Sequence, residues 1–106
     1  MLSTLKKILG LGPAVNYAEL VNQGAIILDV RSKQEYATGH IKGSINIPVD
    51  QLSSSSGKLK DKNRPIITCC ASGMRSSSAK SILHAKGYSQ VFNGGGWHSL
   101  QNKIRS

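Results

Sequence analysis

Residues 70–76, Cys-Ala-Ser-Gly-Met-Arg-Ser, combine a thiol, a glycine and a guanidinium within one tight segment. Before them lies an apolar, β-branched run, residues 65–69, with the pattern of a buried strand. After them, residues 76–87 have the pattern of a helix with serines at its N-terminus and Gly87 as its stop. This order places Cys70 at the carboxyl end of a strand, in a loop that feeds a helix N-terminus. Free backbone N–H groups and the helix dipole there favour anions and stabilise a thiolate. Arg75 adds a permanent positive charge. The chemistry implied is a nucleophilic sulfur facing an anion cradle.

The flanking elements have to hold that loop. Residues 25–30 form a nearly continuous apolar run, the mark of a strand covered on both faces. Residues 17–24 predict a short helix ended by Gly24, and Ser32 with Glu35 three residues on predicts a capping box. Residues 44–48 predict a brief strand closed by proline. Residues 51–64, with four consecutive serines, predict a flexible polar connection. Residues 90–92 predict a last strand, and Gly94–Gly96 a turn into a final short helix. Buried strands alternating with short helices predict an α/β fold with a central, mostly parallel sheet. In such sheets ligands bind beyond the carboxyl ends of the strands, where Cys70 falls.

The 106 residues suffice for one domain, expected over 15–106 after an N-terminal segment, 1–14. That segment has apolar residues at 2, 5, 8 and 9, which predicts a short helix or a frayed terminus. It is too short and interrupted for a signal-peptide core or a membrane span, so no stable membrane insertion is expected. The net charge of +9 comes from 14 Lys and Arg against 5 Asp and Glu. These charges are scattered, and one Trp, three Tyr and one Phe offer few platforms for bases, so no nucleic acid partner is expected. Adjacent Cys69 and Cys70 cannot staple distant segments, and with three histidines they have no metal-ligand spacing. Free thiols point to a reducing, cytoplasmic setting, and a monomer without cofactor is expected.

Three blocks occur in order: Leu28-Asp29-Val30-Arg31, residues 35–48 (Glu-Tyr-Ala-Thr-Gly-His-Ile-Lys-Gly-Ser-Ile-Asn-Ile-Pro), and the Cys70 loop. Over residues 17–100 the chain resembles the single-domain rhodaneses. The resemblance implies a parallel sheet flanked by helices and a loop cysteine that forms a persulfide. By position it implies Cys70 as nucleophile and Ala71, Ser72, Gly73, Met74, Arg75 and Ser76 as the substrate cradle. Asp29 and Arg31 become supports nearby. The chain departs from the family in having apolar Ala71 and Met74 in the loop and Leu100 where the family usually has tryptophan.

A rival spacing runs from Cys69 to Arg75, the longer ring of cysteine phosphatases and some arsenate reductases. Thr68 stands where phosphatases usually carry histidine, and the loop has no aspartate to act as general acid. Cys69 is therefore read as a buried strand residue. Asp29, Arg31 and Glu35 are read as ion-pairing and capping residues, and His40 as a structural hydrogen-bonding one. The activity expected is sulfur transfer from thiosulfate, or another persulfide donor, to a small-thiol or protein-thiol acceptor. A persulfide carrier or non-catalytic interaction module is the alternative, and a small phosphatase or arsenate reductase the third reading.

Overall fold

The computed structural model describes residues 15–105; the helix or frayed terminus expected over 1–14 lies outside them. In chain order the elements are α1 (Tyr17–Asn22), β1 (Ile26–Asp29), α2 (Lys33–Thr38), β2 (Ile45–Asn46), α3 (Leu52–Ser55), β3 (Ile66–Cys70), α4 (Met74–Ala85), β4 (Val91–Gly96) and α5 (Trp97–Arg105). Short 3-10 turns, Val49–Gln51 and Ser56–Lys58, flank α3. The strands form one sheet in the order β2-β1-β3-β4, every pairing parallel.

Side chains alternate across the two central strands, so each supplies two cores. Leu28, Val30, Ile66 and Cys70 pack with Ala79 and Leu83 of α4 and with Leu52, Leu59 and Tyr88. Ile27, Ile67 and Cys69 pack on the opposite face with Leu100 of α5 and with Tyr17, Leu20 and Val21 of α1. The continuous apolar runs of β1 and β3 follow from this double covering.

Three local expectations are corrected. Residues 51–64 are not a loose connection, because Leu52 and Leu59 are buried in the α4-side core and the Tyr88 hydroxyl donates to the Leu59 carbonyl. Ser53 and Ser54 lie on the exposed side of this pinned segment. Gly94–Gly96 are strand rather than turn. Gly94 is required by close approach: a Cβ there would lie 2.9 Å from Ile67 Cγ2, Leu100 Cδ2 and the Thr68 carbonyl oxygen. Finally, α4 begins two residues before Ser76, and no serine caps it. Its N-cap is Gly73, in the left-handed region at φ 102°.

Candidate active site

β3 carries Cys69 and Cys70 to the carboxyl edge of the sheet on opposite faces. Here the pairing of β3 with β4 slips: Thr68 faces Asn93, whereas Cys70 faces Gly96. This bulge, with Gly95 at φ 77°, lets the loop after Cys70 turn back sharply. Gly73 then adopts a conformation that L side chains rarely tolerate and starts α4.

The turn wraps backbone around the Cys70 sulfur. The Gly73 N–H donates to Sγ at 2.9 Å and the Ser76 N–H at 3.3 Å. Thus the thiol occupies the place that a capping side chain would take at this helix end. Burial alone pushes the Cys70 thiol up. The N–H groups of Ser76, Ser72 and Gly73, with the Ser76 hydroxyl, pull it down further, and it ends below the ordinary 9.0. Cys69 responds in the opposite direction: burial, reinforced by Asp29, pushes it up to about 12. One of two adjacent cysteines is acidified and the other is inert.

The cradle has its own braces. The Thr68 hydroxyl donates to the Ser76 carbonyl at 3.0 Å. The Ser76 hydroxyl contacts the Gly73 carbonyl and the side-chain oxygen of Asn93, and the same Asn93 oxygen accepts from the Gly95 N–H at 2.9 Å. Asn93 thereby ties the helix start to the bulge. Sequence reasoning missed it because nothing local marks a strand asparagine as a brace. At the mouth, Ala71 and Ser72 are exposed, and the apolar Met74 side chain is 80% exposed.

Arg75 does not stand free beside the sulfur. Its two terminal nitrogens donate to the two carboxylate oxygens of Glu35, at 2.7 and 2.9 Å, and both side chains are 38% exposed. The Arg75 bond is the chief reason the Glu35 carboxyl is held down at about 2, and the Ser32 N–H adds to it. Glu35 also completes the expected capping box of α2, accepting from Ser32 N–H at 3.1 Å. The capping role was legible in sequence; the bridge to a residue forty positions on was not.

Asp29 and Arg31 form a second, buried pair. Arg31 Nη2 meets Asp29 Oδ2 at 2.8 Å and the Gly39 carbonyl at 2.6 Å, and its guanidinium lies 4.7 Å from the centre of the Trp97 ring. These contacts lock the β1–α2 connection. They are linked to the Arg75 bridge by Glu35, whose carbonyl accepts from Arg31 Nη1 at 3.3 Å. His40 stacks on Tyr36 at 3.7 Å, with Nδ1 2.8 Å from the Tyr36 carbonyl oxygen, a structural arrangement. Leu100 is fully buried in the α5-side core with Cys69, and Trp97 covers Gly39, so the leucine in place of tryptophan is a packing residue.

Fold and geometry together define the class: a parallel α/β domain built around a buried, acidified cysteine at the carboxyl edge of its sheet. The chain belongs to the rhodanese-like family, whose domain model matches residues 14–103. It is 37% identical over 70 residues to thiosulfate sulfurtransferase PspE of Escherichia coli (strain K12), covering 65% of this chain and 67% of that protein. It is 36% identical over 76 residues to the uncharacterized protein YibN of the same strain, and there it spans only 53% of the relative's length. A solved structure described as a rhodanese with anions from E. coli superposes with a TM-score of 0.68 at 34% identity, over 72% of this chain and 91% of that one.

Proposed function

We propose that this rhodanese-type sulfurtransferase works through a persulfide on Cys70. The observation that carries the reading is the convergence of the Gly73 and Ser76 N–H groups on the Cys70 sulfur. The thiolate attacks the outer sulfur of thiosulfate. A new S–S bond forms, the old one breaks, and sulfite leaves with the bonding pair. A nucleophilic acceptor, cyanide in an assay or a thiol, then attacks the outer sulfur of the persulfide and returns the electron pair to Cys70. The same N–H groups stabilise the thiolate before and after, as preorganised donors do for developing anions.

Support for thiosulfate as donor comes from PspE, a thiosulfate sulfurtransferase by name, and from the E. coli rhodanese solved with anions. Donor binding is shared between the backbone N–H groups and Arg75, whose charge the Glu35 carboxylate partly offsets. With no charge on Ala71 or Met74, thiosulfate is bound weakly. Cys70 is buried at rest, so reaction requires the exposed Ala71-Ser72 segment to give way. Residues 15–106 act as one domain, monomeric and at home in a reducing cytoplasm.

Initial-rate kinetics with thiosulfate and cyanide test this. Two half-reactions sharing one covalent intermediate give parallel double-reciprocal lines. Because the Cys70 thiol is held below the ordinary 9.0, kcat/KM for thiosulfate is expected to rise along a limb centred below 9.0 and to be lost as pH falls through that lowered value. Intersecting lines, or a rising limb centred at or above 9.0, would contradict the mechanism.

A further inference from the structure

The wall behind the Cys70 loop is glycine. A Cβ on Gly96 would lie 3.1 Å from the Ala71 carbonyl oxygen, and one on Gly73 would lie 3.5 Å from Gly95 Cα, so β4 and the loop meet backbone to backbone. Gly94, Gly95 and Gly96 bring no side chains to fix this contact, and glycine leaves the backbone freer than any other residue. The side chain placed to fix it is the one just before them. Asn93 faces Thr68, the last pairing of β4 before its register slips.

The Asn93 side-chain oxygen has two donors. The Gly95 N–H meets it at 2.9 Å, and the Ser76 hydroxyl meets the same atom. A backbone N–H can only donate, so the atom it faces is the amide oxygen, and the Ser76 hydroxyl is a donor as well. One bond folds the bulge; the other crosses to the first turn of α4. Ser76 is fully buried, and its carbonyl is held from the other side by the Thr68 hydroxyl at 3.0 Å. With hydroxyl and carbonyl both fixed, its N–H is held toward the Cys70 sulfur at 3.3 Å. The charged groups packed around the loop, Arg75 with Glu35 and Asp29 with Arg31, form two closed pairs. No hydrogen bond among the described residues joins Asn93 to either pair.

We propose that Asn93 is a positioning residue for the Cys70 nucleophile: by tying the Ser76 hydroxyl to the Gly95 N–H, its side-chain oxygen keeps the Ser76 N–H on the sulfur. The assignment rests on Cys70 as the reacting cysteine, and Asn93 acts through Ser76. A thiolate gains more from that N–H than a thiol does, so the tie favours the ionised form. Without it the glycine wall relaxes, the first turn of α4 loosens, and a larger share of Cys70 is protonated at neutral pH.

The test follows alkylation of Cys70 by iodoacetamide across pH, with the modified residue located by mass. Asn93→Ala is expected to move the midpoint of the profile up by about 0.5–1 pH unit, the scale of one net hydrogen bond, and so to slow alkylation below the midpoint about three- to tenfold. Asn93→Ser separates the two bonds. A serine oxygen still accepts from the N–H two residues on, so the local turn and the fold are kept, but it stops short of Ser76. It is expected to move the midpoint nearly as far as alanine does. Tyr17→Phe removes the 3.1 Å bond from the Tyr17 hydroxyl to the Asn93 main-chain carbonyl, and is expected to lower stability with the midpoint at its wild-type value. A midpoint at or below the wild-type value in Asn93→Ser overturns the inference, as does one that moves equally in Tyr17→Phe. A moved profile in a protein that takes up no sulfur from thiosulfate keeps the inference and defeats the persulfide reading. An unmoved profile in a protein that does take it up defeats the inference alone.

Discussion

Cys70→Ser is expected to abolish sulfur transfer, whereas Cys69→Ser keeps most of it. A serine hydroxyl in the cradle is neither ionised near neutral pH nor able to hold a sulfane sulfur. Only the Cys70 sulfur receives the Gly73 and Ser76 N–H groups. Cys69 points to the opposite face, among Ile27, Ile41, Ile67 and Leu100, where its thiol is pushed up to about 12. It is protonated at any working pH and separated from Cys70 by the thickness of the sheet. The cost of Cys69→Ser falls on stability, on the order of 1–3 kcal/mol for a buried hydroxyl without a built partner. Denaturant melts and thiosulfate–cyanide assays on both variants separate the two effects. An inactive but folded Cys69→Ser beside an active Cys70→Ser would reverse the assignment and reinstate the longer ring ending at Arg75.

Arg75→Ala carries the second large effect, a fall in thiosulfate turnover of at least tenfold. Charge-assisted hydrogen bonds contribute about 1.5–3 kcal/mol, and a factor of ten needs roughly 1.4. Two losses combine here. The guanidinium that draws the donor is gone, and the Glu35 carboxylate it had masked becomes a repulsive charge at the entrance. That carboxylate stays ionised throughout the working range. Its depressed pKa means that the Arg75 pairing is complete above about 4.5 and fades only as pH falls toward 2. Adding Glu35→Gln to Arg75→Ala is therefore expected to recover part of the lost kcat/KM, a non-additivity that a double-mutant cycle reads directly. Full activity in Arg75→Ala would leave donor binding to the backbone alone. No recovery in the double variant would mean that the bridge acts only by holding α4 against α2.

Sequence is informative where local chemistry decides structure. The apolar runs around Leu28 and Ile67 are strands because both faces are covered, and Ser32 with Glu35 forms a capping box because both partners lie within one helical turn. It is uninformative where a distant neighbour decides. Gly94 has the local pattern of a turn, yet it lies in strand β4, and it is glycine because Leu100 and Ile67 leave no room for a Cβ, a constraint invisible along the chain. The serine run at 53–56 conceals a segment held by two leucines seven residues apart. In the site, the loop and its thiol are legible. The reach of Arg75 to Glu35 and the brace formed by Asn93 depend on which strands adjoin, and residue spacing does not encode that.

The most direct test of a persulfide on Cys70 is the mass of the non-reduced, proteolysed protein after incubation with thiosulfate. The expected result is one added sulfur atom on the peptide containing Cys69 and Cys70, placed on Cys70 by fragmentation, absent from Cys70→Ser and removed by cyanide. An unchanged peptide, or a sulfur carried by Cys69, would contradict the account.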